Sequence, residues 1–160
     1  MNRYLPHVYI IPEDDRDRQL ADGFIFYDQV NALRVQVMPP PGGWARVLNT
    51  FKDEYIRRLR GDLMGHVVML IDFDGDYTNR RKEFEDAIPD DLKNRVFVVG
   101  SKETPELLKR AMAKNYEQIG AMLAEDCFDN TVHNWNHDHL IHNEPDRRQL
   151  VDIVKPILFA

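Results

Sequence analysis

Apolar runs and helix-spaced stretches alternate along this chain. The first run, His7-Val8-Tyr9-Ile10-Ile11, is rich in β-branched and aromatic residues, is stopped by Pro12, and predicts a strand. From Asp15 to Asp28 the apolar positions Leu20, Ala21, Phe24, Ile25 and Tyr27 recur at helical spacing. Leu33 to Met38 alternates and ends at Pro39-Pro40-Pro41-Gly42-Gly43, which predicts a second strand with a hard stop. Trp44 to Arg60 carries an apolar stripe through Trp44, Val47, Leu48, Phe51, Tyr55, Ile56 and Leu59, an amphipathic helix. His66 to Ile71 is apolar after its first residue, as expected of a strand covered on both faces. A short helix from about Arg80 to Ala87 and a fourth strand, Arg95 to Gly100, follow. Thr104-Pro105-Glu106 opens a helix to Met112, with an N-cap and a proline in the first turn. Asn115 to Cys127 is helical, with Ile119, Met122 and Leu123 as its core stripe. The tail from Pro145 to Phe159 reads as a last helix that Pro156 ends or kinks.

Four strands separated by helices specify an α/β fold with three layers. A mostly parallel four-stranded sheet, here expected in the order 2-1-3-4, carries helices on both faces in a Rossmann-like arrangement. Length favours a single domain spanning residues 1–160, with a core over about 7–112 and a C-terminal helical extension over 113–160. In such sheets ligands sit beyond the carboxyl ends of the strands, where the strand order reverses.

Composition narrows the function. The chain has 21 Lys and Arg against 27 Asp and Glu, a formal net charge of −6, which argues against a sequence-blind DNA coat protein. Its one cysteine, Cys127, excludes an internal disulfide framework and a multi-cysteine zinc cluster, and reads as a buried small residue. No apolar run approaches ~18 residues, so no membrane span is expected. The start, MNRYLPHVYIIPEDD, has too short an apolar stretch for a signal peptide, and a cytoplasmic location is expected.

The chemistry is expected at the strand ends. Glu13, Asp14 and Asp15 follow the first strand; Asp72, Asp74 and Asp76 follow the third. Three carboxylates in a five-residue stretch repel one another, and a divalent cation with a preference for oxygen ligands, Mg²⁺ or Mn²⁺, removes that cost. While the chain stays extended, Asp72 and Asp74 point to the same side. With strands 1 and 3 adjacent, Glu13 faces them across the switch point. One glutamate and a pair of aspartates can hold the metal for phosphoryl transfer. A solvated acidic loop, and a helix N-terminal role for Glu13 favoured by the macrodipole, are the plainer readings.

A glutamate closing the first strand, in Ile10-Ile11-Pro12-Glu13, and Asp-x-Asp closing a later hydrophobic strand, in Met69-Leu70-Ile71-Asp72-Phe73-Asp74-Gly75, resemble the Toprim domain of topoisomerases, bacterial primases and OLD-type nucleases. Asp14 stands where the family glutamate is typically followed by glycine. The resemblance covers about residues 7–112. It implies Glu13 as catalytic acid/base or metal-proximal glutamate, Asp72 and Asp74 as the Mg²⁺ pair, with Asp76 as a weaker metal candidate, and nuclease-like chemistry on nucleic acid, DNA or RNA. A catalytically silent Toprim-like interaction module is the alternative from another class. Asp72-Phe73-Asp74-Gly75 also resembles the nucleophile motif of HAD-type phosphatases, for which Lys102 would be the later lysine. An EF-hand reading fails because Tyr77 stands where that loop needs glycine. No Gly-x-x-x-x-Gly-Lys occurs, so a nuclease of this kind would take its motor or targeting function from a protein partner.

Further candidates lie outside these motifs. Arg80 and Arg81 follow the acidic loop and are placed to bind a substrate phosphate. Glu125 and Asp126 could add a carboxylate, or form a helix-end surface pair. His137 and His139, in a segment with four of the six histidines, could bind a transition metal, contact phosphate or shuttle protons, or simply belong to a polar loop anchored by Trp135, Leu140 and Ile141.

Overall fold

The computed structural model describes residues 1–159. Four strands, β1 (His7–Pro12), β2 (Val35–Val37), β3 (Gly65–Leu70) and β4 (Val96–Val99), form one all-parallel sheet in the order β2-β1-β3-β4. This is the α/β architecture and strand order expected from the sequence. The order reverses between β1 and β3, which pair from His7↔Gly65 to Pro12↔Leu70. That register brings the chain beyond both strands out of the sheet at one level.

Period-2 alternation sorts the strand side chains into two cores. Tyr9, Ile11, Val67, Met69, Val96 and Val98 face α2 (Trp44–Thr50), α3 (Ile56–Gly61) and Phe84 of α4 (Tyr77–Ala87). Val8, Ile10, Val68, Phe97 and Val99 face the opposite layer. There lie α1 (Asp15–Ile25), α6 (Tyr116–Asp129) and α7 (Glu144–Leu158), while Leu108 of α5 (Pro105–Met112) joins a third cluster with α1 and α6. Residues 113–159 therefore cover a face of the sheet.

Several elements differ from the sequence reading. Leu33 sits in a 3-10 turn (Ala32–Arg34) and is 79% exposed, so β2 is shorter than its alternation implied. The helix expected over Trp44–Arg60 runs through a π turn, Phe51–Tyr55, between α2 and α3. Val47, Phe51, Tyr55 and Leu59 are all buried at a constant spacing of four. In an ideal α-helix each such step drifts by roughly 40°, and a wider turn keeps the stripe on one face. Pro156 lies inside α7 without ending it, because it falls in the last turn, where only one main-chain hydrogen bond is forfeited.

Helices α1 and α6 cross backbone against backbone. A Cβ on Gly23 would lie 2.1 Å from the Glu117 carbonyl oxygen, and one on Gly120 would lie 2.1 Å from that of Leu20. At the opposite end of the sheet from the strand carboxyl ends, buried His7 Nε2 meets Asp62 Oδ2 at 2.7 Å, and the Tyr9 hydroxyl donates to the same oxygen at 3.1 Å.

Candidate metal centre

The switch point gathers four acids. One ligand oxygen each of Glu13, Asp14, Asp17 and Asp72 lies within 4.8 Å of the others, and no second such group of three or more His, Cys, Asp or Glu occurs among the described residues. Glu13 follows β1 and is held by its own backbone. Its N–H donates to the Leu70 carbonyl at 2.9 Å, and its carbonyl accepts from Gly42 and Gly43 at 3.0 and 3.2 Å. Those two glycines have φ of +90 and +112, a region side chains avoid, and this lets the turn before α2 close over residue 13. Asp72 comes two residues after β3. Asp14 is the N-cap of α1, its Oδ1 accepting from the N–H groups of Arg16 and Asp17 at 3.0 and 3.2 Å.

Burial distinguishes these acids. Asp17 is fully buried, Asp72 is 3% and Glu13 6% exposed. As carboxylates, Glu13 Oε1 and both Asp17 oxygens have no hydrogen-bond donor within reach among the described residues. Burial pushes the Glu13 carboxyl up to about 9, reinforced by its hydrogen bond and charge repulsion with Asp72. Burial, then the Asp72 charge, raises Asp17 well above the carboxylate range. Burial also raises Asp72, opposed by hydrogen bonds from Glu13 and Asp17. At Asp14 burial acts upward too, but the Arg16 guanidinium, 2.6 Å from Oδ2, and the Asp17 N–H outweigh it and leave the carboxyl low. Without a cation the three buried carboxyls therefore hold their protons more tightly than free carboxyls do.

Unpaired, buried, hard oxygen donors converging from two chain segments fit a divalent cation such as Mg²⁺ or Mn²⁺. Glu13, Asp17 and Asp72 would hold it, with Asp14 at the edge beside Arg16. The N-terminus of α1, with its partial positive charge, favours the ionised form of Asp14 and Asp17, not the cation itself.

Asp17 is the member that the sequence reading passed over. Its signal was present: Asp17, Leu20, Ala21 and Phe24 share one helical stripe, so an acid stands on the apolar side of α1. As a first-turn residue it also points back toward the helix start and Glu13.

Asp74 and Asp76 stand outside the acid group. The expectation that Asp72 and Asp74 share a side required an extended chain, but Asp74 has φ +49 and Gly75 φ +77. The loop curls so that Phe73, Asp74 and Gly75 donate their N–H groups to the carbonyls of Ser101, Glu103 and Lys102, and Asp76 donates back to Phe73. The exposed Asp74 carboxylate pairs with Arg80 Nη1 at 2.7 Å, and Asp76 Oδ1 accepts from Asn79 at 3.0 Å.

The arginines expected to bind phosphate are committed elsewhere. Arg80 also donates to the Asp72 carbonyl at 3.0 Å and lies 4.3 Å over the Trp44 ring, so it braces the loop that carries Asp72. Arg81 pairs with Asp146 at 2.9 Å and with Glu85 at 2.7 Å, tying α4 to α7. Arg46, which packs beside Gly42, and Lys102, next in the chain to Ser101, are exposed and form no ion pair among the described residues.

The remaining candidates also have other duties. Asp126 is buried, with its oxygens accepting from Thr131 Oγ1 and the N–H groups of Asn134 and Trp135, so it organises the turn after α6. Exposed Glu125 lies close enough to Tyr27, beyond the far end of α1, to raise that phenol together with burial. His137 Nδ1 accepts from the His139 N–H at 3.1 Å, and the His139 carbonyl accepts from the Lys102 N–H at 2.9 Å, a turn outside the acid group. Burial pushes the Cys127 thiol up to about 11, which leaves no thiolate to act as a nucleophile.

Compared with known proteins, the chain matches no family model, no curated protein and no solved structure. No helix among the described residues is long and apolar enough to cross a membrane.

Proposed function

We propose that this chain is a Toprim-like, divalent-cation-dependent enzyme that cleaves phosphodiester bonds of nucleic acid in the cytoplasm. The observation that carries the reading is the buried trio Glu13, Asp17 and Asp72, with three carboxylate oxygens lacking any donor. A cation held there would activate water and neutralise charge at phosphorus. Glu13, bound by its backbone to β3 and to the glycine turn, would serve as a ligand, or as the general base once a bound cation has displaced its proton. Arg46 and Lys102 are the cations free to meet substrate phosphates, in place of Arg80 and Arg81. With a net charge of −6, long-range attraction to polyanions is weak, so local contacts and a protein partner that supplies targeting or ATPase function would bring substrate to the site.

The test is cleavage of single- and double-stranded DNA and RNA with Mg²⁺ or Mn²⁺, alongside Asp17→Asn, Asp72→Asn and Asp74→Asn. Metal-dependent cleavage lost in the first two variants and kept in the third supports this assignment. Metal binding without cleavage of any substrate would instead indicate a silent interaction module. Hydrolysis of small phosphomonoesters alone would indicate a phosphatase.

A further inference from the structure

Edge strand β4 has no neighbouring strand on its outer side among the described residues, yet the backbone at its end is hydrogen-bonded. The carbonyls of Val99 and Ser101 accept from Ile71 and Phe73 on the β3 side, so the N–H and C=O of Gly100 face outward. The Asn143 carboxamide meets both: Oδ1 accepts from the Gly100 N–H at 3.1 Å, and Nδ2 donates to the Gly100 carbonyl at 2.9 Å. The pairing is the one a further strand would supply. Asn143 Nδ2 also donates to the Leu140 carbonyl at 2.9 Å, and His142 Nε2 lies 2.8 Å from the same Gly100 carbonyl. Gly100 packs backbone against backbone with the end of β3: a Cβ there would lie 1.6 Å from the Ile71 carbonyl oxygen, so no side chain fits. The next residue, Ser101, is 2% exposed, and its hydroxyl donates to Asp72 Oδ1 at 3.3 Å.

We infer that Asn143 is a positioning residue for the metal centre, acting through Gly100 and Ser101 to set the orientation of the Asp72 carboxylate. With Oδ1 engaged by Ser101, the rotation of Asp72 is restricted, and the carboxylate can be shared with Glu13 and Asp17 in one geometry. Partners of this kind, behind the ligands, govern metal affinity by pre-orienting them. The segment ahead of α7 thus completes a site whose ligands lie more than 55 residues earlier in the chain. This inference rests on the reading of Glu13, Asp17 and Asp72 as ligands.

Calorimetric titration of the full chain with Mn²⁺ tests it. Absence of Mn²⁺ binding by the unaltered protein would remove the metal centre itself. Given binding, Ser101→Ala should weaken it roughly 10- to 100-fold, the usual effect of removing a partner behind a ligand, and Ser101→Thr, which keeps a hydroxyl, should restore it. Asn143→Ala should weaken binding in the same range, with no further loss in a Ser101→Ala background. Where Asn143→Ala lowers the folded fraction seen by circular dichroism, Asn143→Asp, which keeps the acceptor and loses the donors, replaces it in the same cycle. Unchanged affinity in Ser101→Ala, or additive losses in the double variant, would overturn the inference while leaving the metal centre intact.

Discussion

At the scale of single residues, Glu13 is the most informative. Its ordinary value is 4.5 and burial beside Asp72 raises it to about 9. Between these values the unfolded chain has released the proton and the folded chain still holds it. The contribution of Glu13 to the stability of the metal-free protein is therefore fully present below about 4.5 and is lost as pH rises toward 9. Asp17, raised in the same direction, adds to the slope. Glu13→Gln should flatten that pH dependence and raise the metal-free melting midpoint at pH 8, as read by thermal denaturation across pH. In the unaltered protein, Mn²⁺ at a hundredfold its Kd should add about 2.7 kcal/mol, roughly 5–10 °C for a chain of this size. Glu13→Gln should abolish that rise. An unaltered slope in this variant would show that Glu13 does not hold the proton.

At the scale of elements, α1 carries the site at its start. Its first turn supplies Asp17, and its second half is pressed against α6 at Gly23 and Gly120, where neither position has room for a methyl group. Because the obstructing atoms are backbone, the helices must separate to admit one. Gly23→Ala and Gly120→Ala should each destabilise by about 1–3 kcal/mol, the usual range for overpacking, measured by urea denaturation. The gain in helix propensity from alanine, up to about 1 kcal/mol, works against this and is the smaller effect. A neutral or stabilising result would mean that the two helices can part without cost. The same helix explains why residue types misled the sequence reading. Asp14, Asp15 and Asp17 look interchangeable as first-turn acids, yet one caps the helix, one is exposed, and one is buried at the site.

For the molecule as a whole, the two ends of the sheet are opposite in kind. The carboxyl ends gather acids that lack donors, whereas the amino ends hold a satisfied pair. His7 Nδ1 lies 2.7 Å from the Leu5 carbonyl and Nε2 2.7 Å from Asp62. Burial pushes the Asp62 carboxyl up, but hydrogen bonds from His7 and Tyr9 outweigh it and hold it low. Asp62→Asn should cost about 1.5–3 kcal/mol, the range for a hydrogen bond to a charged group, seen as a lowered denaturation midpoint. Because it lies at the far end of the sheet, it should leave Mn²⁺ affinity unchanged in the folded protein. Loss of metal binding in a still-folded Asp62→Asn chain would contradict this separation of the two ends.

Hydrophobic periodicity by itself determined the α/β class and the four strands, because buried parallel strands read as apolar runs; the order was a supposition among the few that crossover rules allow, and the structure decided it. Periodicity also placed Glu13 and Asp72 at strand ends, since each immediately follows such a run. Which acids converge was decided only in three dimensions. The left-handed backbone at Asp74 and Gly75 turns the second aspartate of Asp-x-Asp toward Arg80. The first turn of α1 brings Asp17 in its place, from a position where its helical stripe, and not its local motif, carried the signal. Asn143 and Ser101 were illegible for a plainer reason: an amide pairing with a backbone 43 residues away leaves no periodicity to read.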